Sequence, residues 1–128
     1  MTRRTAARAL IVAAVVGSLA TSAVGVAKQK PPQQRSLKAD PHGAIAFNKT
    51  KLTVKAGRVK LVMTNPSSSG QQHGIAVKGH GLDKDGKIVN PGKKSTVTVT
   101  LKKGKTYTFY CPVPGHEALG MKGKITVK

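Results

Sequence analysis

The sequence predicts an all-β domain, an antiparallel sandwich or barrel, over most of its 128 residues. Apolar and polar residues alternate in seven short segments rich in β-branched and aromatic residues, which is the pattern of half-buried strands. Turn-forming pairs such as Ala56-Gly57, Asn65-Pro66 and Lys103-Gly104 separate these segments. Many short strands at regular turn spacing are typical of sandwiches and barrels.

The strands follow one another from residue 44 to the C-terminus, and from Lys28 onwards we find no helical periodicity. Alternation assigns one residue in two to the core, Met63 included. The predicted inward-facing residues are Ile45 and Phe47, Leu52 and Val54, Val59, Leu61 and Met63, Ile75 and Val77, Val97, Val99 and Leu101, Tyr107 and Phe109, and Ile125 and Val127. About 85 residues are enough to bury one modest core.

Residues 1–27 have the composition of a secretory signal peptide. Arg3, Arg4 and Arg8 form a basic start, residues 9–16 are apolar, and small residues follow up to Ala27. The alternative is an uncleaved membrane anchor, which needs about 20 predominantly apolar residues. Glycine, serine and threonine interrupt the apolar character after residue 16, so we favour export to the periplasm, the cell surface or the medium.

Residues 28–43 are rich in lysine, proline and glutamine and contain few apolar side chains. This composition is typical of a flexible tether. The sequence therefore predicts a signal peptide over residues 1–27, a flexible linker over residues 28–43 and a folded domain over residues 44–128.

The chain is strongly basic, with 23 lysine and arginine residues against four aspartate and glutamate residues. The lysines alternate along the predicted strands, and aromatic residues that could stack on bases are few. A solvated basic face is therefore favoured over a nucleic-acid interface. An acidic protein partner or an anionic membrane surface is the second possibility.

Residues 111–121 contain the only cysteine of the chain. Four residues separate Cys111 from His116, and four more separate His116 from Met121. A thiolate, an imidazole and a thioether form a soft ligand set that suits copper better than zinc, calcium or magnesium. A trigonal His₂Cys site with a weak axial methionine is typical of electron-transfer copper proteins, and this segment contains three of those four ligands.

The local sequence explains how one loop can direct three donor atoms at one point. The aromatic strand ending at Tyr110 delivers Cys111 to one end of the domain. Pro112 and Pro114 favour extended conformations in the residues before them. Glycines at positions 115 and 120 permit tight turns, and residues 122–127 form the returning strand.

Over residues 106–127 the chain resembles the cupredoxins, the blue copper proteins that include plastocyanin, azurin and rusticyanin. The similarity covers the aromatic strand, the cysteine, the proline–glycine loop and the Gly-Lys-Ile-Thr-Val strand, and it is looser over residues 45–77. It implies an antiparallel Greek-key β-sandwich. It also implies that a second histidine opens an earlier strand after a long polar loop, and His73 has that position.

The resemblance thus implies one type 1 copper ion, cycling between Cu(I) and Cu(II), with His73, Cys111 and His116 as equatorial ligands and Met121 as axial ligand. Cupredoxins usually have asparagine or aspartate directly after the first histidine, where its side chain braces the cysteine loop. This chain has Gly74.

Asn65 is a candidate to brace the cysteine loop instead. We expect backbone N–H groups of Gly74 and Val113 to face the sulfur, because Pro112 and Pro114 have none.

The implied function is one-electron transfer by an exported monomer between redox protein partners that have acidic docking surfaces. The alternative is an exported protein that stores, delivers or buffers copper. Catalysis is disfavoured, because catalytic metal sites keep an open coordination position and four protein ligands would fill this one. A metal-free cationic adhesion module would make the ligand spacing a coincidence. His42 and His80 are assigned to solvated turns.

Overall fold

The computed structural model describes residues 30–128, so the predicted signal peptide and the first two linker residues lie outside the described residues. The described part contains eight strands and no helix. The strands are β1 (Gln33–Lys38), β2 (Lys51–Val54), β3 (Gly57–Thr64), β4 (Ala76–Gly79), β5 (Leu82–Asp85), β6 (Lys94–Leu101), β7 (Thr106–Tyr110) and β8 (Lys122–Val127). None of the residues from 30 to 128 belongs to a helix that could span a membrane.

The strands form two sheets that enclose one core, which confirms the predicted all-β sandwich. A three-stranded sheet has the order β1-β3-β6, and a five-stranded sheet has the order β2-β8-β7-β4-β5. Neighbours are antiparallel except in the pairs β1–β3 and β2–β8, which are parallel. Parallel neighbours need a long connection, and here the chain leaves and re-enters each sheet between the paired strands.

The core consists of the residues that alternation assigned to it. Every predicted inward-facing residue is buried except Ile45, which is half-buried against the core. Met63 is fully buried in β3. The period of two therefore located the buried face of each predicted strand correctly.

The expectation of a flexible linker over residues 28–43 is wrong for its central part. Gln33–Lys38 forms β1, which pairs with β3 over its whole length. Leu37 and Ala39 are buried in the core. A strand ladder is formed by backbone groups, so two apolar side chains at a spacing of two are enough to hold a polar segment against a free sheet edge. The first strand of the described residues therefore begins at Gln33.

Strand β5 is not among the predicted strands, and Leu82 is its only apolar residue. It pairs with β4 through a turn in which His80 has a φ of 50°. His80 is exposed, and its Nε2 lies 3.1 Å from the carbonyl oxygen of Thr106. His42 is exposed in the turn before residue 44.

Candidate metal centre

Two histidines and the cysteine converge at one end of the sandwich. One potential ligand atom from each of His73, Cys111 and His116 lies within 4.8 Å of the other two. The Nδ1 atoms of His73 and His116 lie 3.9 Å and 3.6 Å from the sulfur of Cys111. The fold thus brings the distant histidine to the two donors of the C-terminal loop.

Backbone hydrogen bonds fold residues 111–121 into a closed loop. The Met121 carbonyl accepts a bond from the Cys111 N–H at 3.0 Å, and the Met121 N–H donates to the His116 carbonyl at 3.1 Å. Gly115 and Gly120 have φ angles of 85° and 103°, in the left-handed region that glycine tolerates best. Met121 is fully buried, and its backbone is hydrogen-bonded to both Cys111 and His116.

Asn65 holds the loop that leads to His73. Its side-chain N–H groups donate to the carbonyls of Gln71 at 2.8 Å and Val89 at 3.1 Å, and its Oδ1 accepts the Ser69 hydroxyl at 2.6 Å. His73 and Val89 exchange both backbone hydrogen bonds. The suggestion that Asn65 braces the cysteine loop is therefore wrong, because its side-chain bonds hold the histidine loop instead.

Asn65→Ala should destabilise the protein by about 2–4 kcal/mol, because three hydrogen bonds disappear and their partners are left in a buried site. Copper retention against a chelator should fall as well, since His73 loses its fixed position. Urea unfolding and chelator competition measure the two effects. Gln72→Ala is the matched control, because Gln72 is exposed and bonds the side chain of Asn90. Equal stability of both variants would show that Asn65 does not organise this loop.

Burial and hydrogen bonding act in opposite directions on the thiol. Burial raises the pKa of Cys111, while the backbone N–H groups of Gly74 and Val113 lower it. The Gly74 N–H lies 3.5 Å from the sulfur. The two expected donors are thus in place, and they would stabilise a thiolate once a cation offsets the burial.

Burial also lowers the pKa of His73, and the nearby His116 adds to this effect. A neutral imidazole is the form that binds metals. The Nε2 atom of His73 is buried and has no hydrogen-bond partner among the described residues, while Nδ1 faces the sulfur. Two imidazoles, a buried thiol and a buried thioether fit a soft metal ion such as copper.

Gly74 fits tightly between two segments of the site. A Cβ atom at this position would lie 2.9 Å from the carbonyl oxygen of Lys87 and 3.0 Å from Cγ of Pro112. Real Cβ atoms essentially never approach a neighbour within 3.0 Å. A bracing side chain of the kind usual in cupredoxins therefore has no room here, and the ring of Pro112 packs directly on the glycine.

The solvent-facing part of the site is small. Cys111, Met121 and His73 are buried, whereas His116 is half-buried. Leu119, three residues later in the same loop, is 69% exposed. An imidazole edge and an exposed apolar side chain thus lie in the same surface loop.

The comparisons with known proteins agree with this geometry. The model of a family described as copper binding proteins, plastocyanin/azurin family, matches residues 34–128. Auracyanin-A of Chloroflexus aurantiacus is 34% identical over 111 residues, which are 65% of this chain and 67% of that protein. The solved structure of auracyanin A, described as a "blue" copper protein, has a TM-score of 0.62 at 28% identity and covers 77% of this chain and 100% of its own.

Two further similarities are informative. The structure of auracyanin B has a TM-score of 0.68 at 26% identity and covers 78% of this chain and 91% of its own. The copper-resistant cuproprotein CopI of Pseudomonas aeruginosa is 39% identical over 46 residues, which are 36% of this chain and 25% of that protein. The chain spans about two thirds of auracyanin-A and a quarter of CopI.

Proposed function

This chain belongs to the plastocyanin/azurin family of copper binding proteins, and from that membership we propose that it is an exported one-electron carrier with one type 1 copper ion. The observation that carries the proposal is the convergence of two imidazole Nδ1 atoms on the cysteine sulfur, 3.9 Å and 3.6 Å away. Copper supplies the one-electron chemistry when it is bound, by alternating between Cu(I) and Cu(II).

The residues that would hold the copper ion are His73, Cys111, His116 and Met121, and the ion would supply the one-electron chemistry. Cys111 binds as the thiolate, which is the form of cysteine that ligates metals. The N–H groups of Gly74 and Val113 support that negative charge. The Met121 side chain is supported as a ligand by its burial and by the backbone bonds that join it to the other two loop residues.

The protein's own contribution is a largely buried site whose loops are held by hydrogen bonds. The loop that carries three proposed ligands is closed by backbone hydrogen bonds, and the histidine loop is held by Asn65. Ligands fixed in this way keep their positions in both oxidation states, so little reorganisation accompanies the transfer of an electron. Four protein ligands leave no open coordination position, so we propose a carrier and not an enzyme.

We propose that electrons enter and leave the site through the exposed edge of His116, beside Leu119, and we call this edge the electron port. Replacing Leu119 with glutamate should slow electron exchange with an acidic partner by about tenfold, because it removes an apolar contact and adds a repulsive charge. The blue colour should remain, since no ligand changes. Stopped-flow reduction by an acidic flavodoxin measures the rate, and the visible spectrum checks the site.

Thr100→Glu is the control for the added charge, because Thr100 is exposed on the three-stranded sheet. Its rate should stay close to that of the parent protein at physiological salt, where charges act over about 8 Å. If both glutamate variants are slowed equally, the port does not lie at Leu119.

The compartment and the partners are further parts of the proposal. Residues 1–27 have the composition of an export signal, and an N-terminus at residue 28 of the mature protein would support its removal. The excess of lysine and arginine over acidic residues favours redox partners with acidic docking surfaces. We propose that the carrier is a monomer and that it binds no nucleic acid.

The similarity to CopI supports a second candidate, an exported protein that stores, delivers or buffers copper. The same four residues would serve as ligands. A reversible Cu(II)/Cu(I) couple with a stable blue oxidised form supports the carrier, whereas binding of Cu(I) alone supports the copper-handling protein. We favour the carrier because the similarity to auracyanin-A extends over 65% of the chain, against 36% for CopI.

A further inference from the structure

Four lysines surround a depression on the outer face of the five-stranded sheet, and one carboxylate, that of Glu117, also lines it. We call it the lysine groove and define it by Lys51, Lys78, Lys122 and Lys124. Its volume is about 410 Å³, and the short side chain of Thr108 lies among the lysines. A cavity of this size is in the range of small-ligand sites.

The strand register explains why the lysines meet. Lys51 lies opposite Lys124 in the pair β2–β8, Lys124 lies opposite Thr108 in β7–β8, and Thr108 lies opposite Lys78 in β4–β7. These residues form one row across four adjacent strands, which are spaced about 4.8 Å apart. Lys122 lies two residues before Lys124 and so faces the same side of the sheet.

Most of this charge has no counter-charge. Lys78 forms an ion pair with Glu117 and lies 4.5 Å above the ring of Tyr110. Among residues 30–128, no carboxylate pairs with Lys51, Lys122 or Lys124. Like charges directly opposite each other in a sheet are destabilising, so the Lys51–Lys124 pair is unfavourable until an anion binds between them.

The nearby acidic residues do not relieve this repulsion. Asp83 and Asp85 belong to the same sheet, but both accept a hydrogen bond from the Tyr110 hydroxyl, at 2.8 Å and 3.0 Å. The negative charges are thus held at one end of the sheet face, and three unpaired ammonium groups remain at the other.

We propose that the lysine groove binds a ligand with two clustered phosphate groups. Lysine is the basic residue that lines the groove, and lysine ammonium groups bind phosphate as point charges. One phosphate monoester carries about −1.5 to −2 charges, so two phosphate groups offset the three unpaired lysines. The Thr108 hydroxyl is a further donor. The site is independent of the copper proposal.

Pyrophosphate is the probe for this site, titrated calorimetrically into the full copper-loaded protein. The double variant Lys51→Gln with Lys124→Gln should bind pyrophosphate at least about tenfold more weakly, since charge-assisted hydrogen bonds to two ammonium groups are lost. The matched control is Lys60→Gln with Lys94→Gln on the three-stranded sheet, where neither lysine lies opposite another basic residue. It has the same net charge and should bind within about twofold of the parent protein, because its charges lie beyond the Debye length.

Thermal unfolding gives a second measurement, because a simple loss of charge would not produce the expected pattern of melting temperatures. Without pyrophosphate, the Lys51/Lys124 variant should melt at or above the temperature of the parent protein, because a repulsive pair is removed. Pyrophosphate should raise the melting temperature of the parent and of the control, and not that of the Lys51/Lys124 variant. Equal weakening in both double variants, or in neither, would overturn the proposal.

The two phosphate groups could belong to a soluble diphosphate or to a membrane lipid. Vesicles of phosphatidylcholine with cardiolipin, which has two phosphates, distinguish these sources when compared with phosphatidylglycerol vesicles of equal surface charge. Preferential binding to cardiolipin that is lost in the Lys51/Lys124 variant identifies a lipid. Pyrophosphate binding without a preference for cardiolipin identifies a soluble ligand. Failure to bind either probe would contradict the site.

Discussion

Replacing Cys111 with serine is expected to abolish the intense visible absorption of the Cu(II)-loaded protein and to weaken copper binding by more than about 100-fold. Loss of a residue that merely supports a ligand already costs 10–100-fold in metal affinity, and here a proposed ligand itself is lost. Serine keeps nearly the same volume and can accept the Gly74 N–H, so the fold should survive. Visible spectroscopy and chelator competition measure the two effects.

Met63→Leu is the matched control for sulfur chemistry. Met63 is as deeply buried as Cys111, but it belongs to the core of β3 and not to the site. Exchanging methionine for leucine in a core usually costs less than 1.5 kcal/mol, so this variant should remain blue. A Cys111→Ser protein that keeps the visible band and copper affinity of the parent would show that the thiolate is not a ligand.

Replacing Gly74 with alanine should act on both the fold and the site, with a loss of about 1–3 kcal/mol in stability together with a shifted visible spectrum. The added methyl group would collide with Pro112 and with the backbone of Lys87. The proline ring must then move, and Cys111 precedes it directly. The hydrogen bond from the Gly74 N–H to the sulfur would lengthen, which alters the electronic environment of the thiolate.

The double variant Gly74→Ala with Pro112→Ala tests that mechanism. Removing the proline ring eliminates the contacts at 3.0 Å and 3.1 Å and leaves only the one with Lys87. The double variant should therefore lose less stability than the sum of the single variants, as expected for residues in direct contact. Additive losses, or an unchanged spectrum in Gly74→Ala, would show that the pair does not position the cysteine.

The three candidate ligands in the C-terminal loop were predictable because the residues that shape the loop are close to them in the sequence. Cys111, His116 and Met121 belong to one loop, and the proline and glycine residues that shape the loop lie within it. His73 was different, since nothing in its own neighbourhood marks it as a ligand. It was identified through a resemblance, and only the fold places it 3.9 Å from the sulfur.

Contacts between distant segments were not predictable. The packing of Gly74 on Pro112 and the bond from Asn65 to Val89 join residues that no periodicity relates. Gly123 is a further case: a Cβ atom there would lie 2.2 Å from Cζ of Phe109, so the aromatic ring covers the glycine directly. Glycine inside a strand often marks such a close approach, but the partner is known only from the register.

Strand β1 shows the limit of composition as a guide. Its lysine, glutamine and arginine content is typical of a tether, yet its backbone completes the sheet edge beside β3. Alternation was present in the form of Leu37 and Ala39, but it was too short to stand out against the polar residues around it. When the apolar alternation of a segment is weak, the unpaired backbone groups at the edge of a neighbouring strand decide whether the segment forms a strand.

The most direct test of the account is a visible spectrum of the purified mature protein with Cu(II), recorded before and after ascorbate. We expect an intense blue band that disappears on reduction and returns on reoxidation, because a thiolate and two imidazoles would hold one copper ion in both states. A protein that stays colourless with cupric salt would contradict it.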